Sequence, residues 1–111
     1  MTVTVDGQRL WERVETMAKL GGTLKGGVCR LALDDNDITA HRLLADLAKL
    51  RGFRLLLDDA GNLFLRREGS DASLAPLVSG SHSDSQPTGG RFDGIFGVLA
   101  AFEALEAIDA A

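Results

Sequence analysis

Ser79-Gly-Ser-His-Ser-Asp-Ser-Gln-Pro-Thr-Gly-Gly-Arg-Phe-Asp-Gly-Ile-Phe-Gly97 places one His and two Asp in a polar, glycine-rich stretch between two apolar ones. Leu77-Val78 before it reads as a short strand leading to His82. After it, Ile95, Leu99, Phe102 and Ile108 recur at helical spacing. A loop joining a strand to a helix lies where α/β sheets gather ligands, beyond the carboxyl ends of strands. The stretch therefore sets the expected fold class, α/β, with helices packed on a sheet.

Working outward, Asp6 to Leu20 reads as a helix with Leu10, Val14 and Met17 on its buried side and Trp11 packing it. Gly21-Gly22 ends it. Residues 21 to 36 form a long connection rich in glycine, a kind of segment that is often functional. Asn36 or Asp37 is the expected cap of a second helix, with Ile38, Leu43, Leu44, Leu47 and Leu50 facing inward. Gly52 stops it. Phe53, Leu55 and Leu57 alternate as a strand does, Asp58 to Asn62 is a turn signal, and Leu63 to Arg67 return. The helix from Gly94 onward is apolar on most of its surface and is expected to be buried on several sides, more than three strands and two helices cover.

With 111 residues the chain fits one domain, residues 1–111. A net charge of −4 and scattered aromatics argue against a nucleic-acid surface. One cysteine, Cys29, excludes an internal disulfide framework and reads as a small buried residue. The N-terminus lacks the pattern of a signal peptide and no apolar run has membrane-spanning length, so a cytoplasmic protein without a membrane partner is expected.

His82, Asp84 and Asp93 are residue types that bind Zn²⁺ and similar cations. Asp84, two residues from His82, is placed to hold the second ring nitrogen of a metal-bound imidazole. The same residues have plainer readings. His82 suits a surface, Asp93 suits a helix cap, and Thr88-Gly-Gly-Arg91 leading into a helix suits an anion. Residue types alone leave a metal site and an anion loop level.

Gly80 to Val98, together with Gly26-Gly-Val-Cys-Arg-Leu-Ala-Leu33 and Asp59-Ala-Gly-Asn-Leu-Phe64, closely resembles the zinc-dependent amidohydrolases of the hydantoinase/carbamoylase type. These include N-carbamoyl-L-amino-acid hydrolases, β-ureidopropionases and allantoate amidohydrolases. The resemblance implies the N-terminal part of a layered αβα catalytic domain that holds two divalent ions, Zn, Mn, Co or Ni. It makes His82 a metal ligand, Asp93 the ligand bridging both ions, and Asp84 the catalytic-site carboxylate supporting His82. The implied reaction is hydrolysis of a carbamoyl or ureido C–N bond in a small molecule by metal-activated water. The family's general base Glu, its other ligands and its lid and dimerisation domain have no matching segment in residues 1–111. The chain is thus expected to be part of a larger, homodimeric enzyme and inactive alone. A small anion-binding or protein-interaction module derived from such an enzyme is the alternative. Lys25 and Arg30 are expected near the active-site side or on the surface, His41 on a helix surface, and Glu103 and Glu106 within possible reach of the loop.

Overall fold

Asp6 turns the chain into its first helix: its carboxylate accepts the Arg9 N–H at 2.9 Å and caps α1, Gly7–Ala18. The structure is a computed structural model describing residues 1–111. α2 spans Asp35–Leu50 and is capped by Asp34, whose side chain accepts the Asp37 N–H at 2.8 Å. The cap lies earlier than Asn36 or Asp37 because the Asp37 carboxylate is committed elsewhere, to Leu33 and Ser83. β1, Arg54–Leu57, and β2, Leu63–Arg66, form the expected antiparallel hairpin, with Leu55 opposite Leu65 and Leu56 opposite Phe64. Asp58 closes its turn by accepting the Ala60 and Asn62 amides and the Asn62 side chain. α3 spans Ile95–Ala110.

One hairpin face, Leu55, Leu63 and Leu65, packs on the helices. Val14 and Met17 of α1, Ala40 and Leu44 of α2, and Ile95 and Leu99 of α3 meet in the main core. Phe53, Ala48 and Phe102 extend it. The α/β expectation holds, with two corrections. Leu77-Val78 is not a strand: the sheet has two strands, and Leu77 and Val78 are exposed without a ladder partner. A short apolar run becomes a strand only when a neighbour supplies the hydrogen bonds. On α2, Ala40 and Ala48 are buried whereas Ile38 and Leu50 are exposed, because the small side chains let α2 approach its neighbours closely. No helix is long and apolar enough to cross a membrane.

α3 departs most from its sequence pattern. Its apolar Phe96 and Ile108 are exposed, while Glu103 and Glu106 are buried against α1. Arg9 grips Glu103 with two hydrogen bonds, at 2.7 and 2.8 Å. Arg13 grips Glu106 at 2.9 and 3.2 Å, and Arg51 adds a third cation at 3.0 Å. The Arg13 guanidinium also lies 4.9 Å over the Phe102 ring. Both glutamates therefore face α1 and not the loop, and every buried side-chain polar atom has a partner. A planar guanidinium matches a carboxylate bidentately, which makes this interface directional as well as attractive.

Burial alone would raise the Glu103 carboxyl, but the Arg9 hydrogen bond, the Asp6 amide and the charges of Arg9 and Arg13 hold it below the usual range. A depressed carboxylate contributes stability above its unfolded value, and that contribution is lost as pH falls through the folded value. Replacing Glu103 by Ala removes both Arg9 hydrogen bonds to it and leaves Arg9 and Arg13 to share Glu106, at 3.0 and 2.9 Å. The expected loss is about 2 kcal/mol, the scale for charge-assisted hydrogen bonds with a remaining partner. Denaturant melts at neutral pH check the loss. Melts carried down through the free-Glu value of about 4.3 should show a shallower acid limb for Glu103→Gln than for the native side chain.

Candidate functional site

The loop between Ser79 and Gly94 takes its shape from the glycine-rich connection beneath it. Val28 and Gly89 exchange backbone hydrogen bonds at 2.9 and 3.0 Å. The Ser85 N–H donates to the Arg30 carbonyl at 2.6 Å, and the Arg30 N–H donates to Ser85 Oγ at 2.8 Å. Gly21 allows the turn that lets this connection fold back: its φ is +81°, and a Cβ there would lie 2.1 Å from the Cys29 carbonyl oxygen. Cys29 is half-buried and Lys25 is exposed.

Arg30 is the one large cation inside. It is 2% exposed and donates from Nε to the Ser83 carbonyl and from one terminal nitrogen to the Met17 and Leu20 carbonyls, each at 2.8 Å. Burial pulls its guanidinium below the ordinary value, an effect opposed by the charges of Asp37, Asp34 and Asp84. Ser83 points inward, while His82 and Asp84 on either side of it stay accessible, the alternation of an extended segment.

That alternation brings His82 and Asp84 together. His82 Nδ1 lies 3.0 Å from Asp84 Oδ1 and 3.0 Å from the Asp84 carbonyl oxygen. With a proton held on Nδ1 by these two acceptors, Nε2 keeps its lone pair free. Nε2 faces Asp93 Oδ2 at 3.6 Å. Two donors on one tetrahedral Zn²⁺ stand about 3.4 Å apart, given ligand bonds near 2.0–2.1 Å. The pair is thus spaced to share a cation. His82, Asp84, Ser85, Gln86 and Asp93 line one open pocket, none of them a hydrophobic residue.

Asp93 is not a helix cap. The cap position of α3 is Gly94, with no side-chain bond, so the Asp93 carboxylate remains unspent and is 88% exposed. Gly94 has a φ of +75° and lies flat against the imidazole. Arg91 bonds Glu15 at 2.9 Å, and Phe92 stacks on Trp11 with ring centroids 6.2 Å apart. Trp11 therefore secures the loop from a half-exposed position and does not enter the core. His41 also departs from the surface role expected of it, since its Nε2 lies 3.0 Å from Ser83 Oγ. The site residues that sequence reasoning missed are Asp37, read there only as a candidate helix cap, and Ser83. A cluster of three Asp at a helix start offers no sign of which one turns inward. No third His, Cys, Asp or Glu joins His82 and Asp93 closely enough to close a metal cage.

No family model matches the chain. It is 40% identical over 105 residues to the N-carbamoyl-L-amino-acid amidohydrolase of Rhizobium meliloti, covering 95% of this chain and 25% of that protein. It is 41% identical over 110 residues to the enzyme of the same name from a Pseudomonas species, covering 99% of this chain and 27% of that protein. A hydantoinase/carbamoylase family amidase from Burkholderia multivorans superposes with a TM-score of 0.94 at 52% identity, over 97% of this chain and 26% of that one. The chain thus spans about a quarter of the length of the curated relatives it matches.

A Cβ added at Gly94 would sit 2.3–2.6 Å from three atoms of the His82 ring. Gly94→Ala is expected to destabilise by at least the roughly 1–2 kcal/mol of a left-handed non-glycine residue, and to turn the His82 ring away from Asp93. Thermal melts measure the first effect. The chemical shift of the His82 ring protons measures the second, and an unchanged shift would contradict the packing.

Proposed function

We propose, for a chain that belongs by sequence and fold with the hydantoinase/carbamoylase amidases, that it supplies metal-binding residues of an amidohydrolase. The substrate class is a small N-carbamoyl amino acid or a related ureido compound. The observation that carries this reading is the arrangement of His82, with Nδ1 held by Asp84 and Nε2 facing Asp93 across 3.6 Å.

The donor set fits divalent ions that accept mixed imidazole and carboxylate ligands, namely Zn²⁺, Mn²⁺, Co²⁺ and Ni²⁺. Bound ions of this kind polarise a carbonyl and lower the pKa of water enough to make it a nucleophile. Asp84 fixes the His82 tautomer, so that the nitrogen facing Asp93 is a base and not a proton donor. Asp93 turns one oxygen toward His82 and keeps the other available for a second cation. The Gln86 side chain lines the same pocket and offers a neutral hydrogen-bonding group to a ureido substrate.

His82 and Asp93 provide two donors, and a tetrahedral ion needs four. The rest come from water, substrate or other polypeptide, and so does the base that takes the proton from water. Residues 1–111 alone are therefore expected to be inactive toward carbamoyl amino acids. The anion-loop alternative needs Arg91 free at the start of α3, and its pairing with Glu15 counts against that reading.

The test is metal content and turnover in a complete enzyme that carries residues 1–111 together with the segments supplying the remaining ligands and the base. His82→Ala is expected to lower bound metal in elemental analysis and to abolish hydrolysis of an N-carbamoyl amino acid. Asp84→Asn is expected to reduce metal affinity or activity about 10–100-fold, the scale for groups that orient a metal-bound His. Metal content that is the same in His82→Ala as in the native protein would sink the proposal.

A further inference from the structure

We propose that Asp37 and Ser83 are positioning residues that set His82 for cation binding from below the loop, an inference that rests on the reading of His82 as a metal ligand. Ser83 is 8% exposed, and its Oγ lies 2.7 Å from Asp37 Oδ1 and 3.0 Å from His41 Nε2. A hydroxyl has one proton and an ionised carboxylate only accepts. Ser83 therefore donates to Asp37, and His41 donates from Nε2–H to Ser83. The bonds run in one direction: His41 to Ser83 to Asp37.

Ser, His and Asp are the residue types of a nucleophilic triad, but this order is the wrong one. A nucleophilic Ser gives its proton to an imidazole that a carboxylate orients. Here the carboxylate takes the Ser proton, the imidazole is the donor, and the hydroxyl is buried. The arrangement holds a position and does not attack.

What it holds is the backbone between His82 and Asp84. The Ser83 side chain is fixed by Asp37 and His41, and the Ser83 carbonyl is fixed by Arg30 Nε at 2.8 Å. Residue 83 is thus tied by side chain and main chain at once, which leaves its two neighbours little freedom to separate. The other Asp37 oxygen accepts the Leu33 N–H at 2.9 Å. Leu33 has a φ of +65°, a left-handed conformation that a side-chain-bearing residue keeps only when its surroundings enforce it. One carboxylate, 4% exposed, therefore locks the turn into α2 and the loop carrying His82.

The experiment is a Co²⁺ titration of the native protein followed by visible absorbance, with Zn²⁺ competition and a metal-free melting temperature on each sample. Ser83→Ala is expected to weaken Co²⁺ binding about tenfold. Ser83→Thr, which keeps the hydroxyl, is expected to restore it. Asp37→Asn keeps one acceptor oxygen, so holding the Leu33 N–H turns its NH2 toward Ser83 and forces the Ser83 proton onto His41 Nε2. This reversal of the chain is expected to weaken binding several-fold. A merely structural role would lower the melting temperature of these variants and leave the affinity of the folded fraction unchanged. Loss of binding in His82→Ala with native affinity in Ser83→Ala and Asp37→Asn overturns this proposal alone. A Ser83→Thr variant as weak as Ser83→Ala overturns it too. Native affinity in His82→Ala overturns the metal reading and this inference together. Should Ser83→Ala fail to fold, the Asp37→Asn affinity decides.

Discussion

A buried guanidinium holds this molecule to its shape. Burying a charge is costly unless hydrogen bonds replace the water it loses. Arg30 meets that cost with main-chain oxygens only: Met17 and Leu20 at the end of α1, and Ser83 in the loop. The last carbonyls of a helix lack internal partners and form its negative end, so a cation is well placed there. Ending α1 and seating the loop are consequently the same event. α1 then reaches both other parts of the frame. Arg9 and Arg13 hold α3, and Trp11 and Glu15 hold the residues just before Asp93.

The sequence carried the helices and the hairpin because each is written locally. Asp6, the Asp58-to-Asn62 turn and the Val14/Met17 spacing act within a few residues of themselves. Leu77-Val78 failed as a strand because strand character belongs to a pair, and no local pattern names the partner. α3 was legible as a helix but not in its packing. Its apolar composition pointed to burial by hydrophobic contact, whereas two glutamates met arginines more than ninety positions away in sequence. Long-range ion pairs leave no periodicity to read.

The candidate site divides in the same way. His82, Asp84 and Asp93 stood out because they are polar types gathered in one loop with glycines to bend it. The support beneath them did not. Asp37 is one of three Asp at a helix start, His41 sits mid-helix, and Arg30 lies in a connection that also suited the surface. Only the fold shows that these residues converge on Ser83. The exposed residues, which the proposal gives to a cation, were the easier ones to find, and the buried ones beneath them were the harder.

The stack of Trp11 on Phe92 has an optical consequence. The chain contains one Trp and no Tyr, so its near-ultraviolet fluorescence comes essentially from a single indole. That indole is half-exposed and rests on the residue next to Asp93. The emission maximum of a partly solvated indole moves with its contacts. The protein therefore carries its own dye at the rim of the loop, and a shift of Phe92 changes the colour of its light with no label attached.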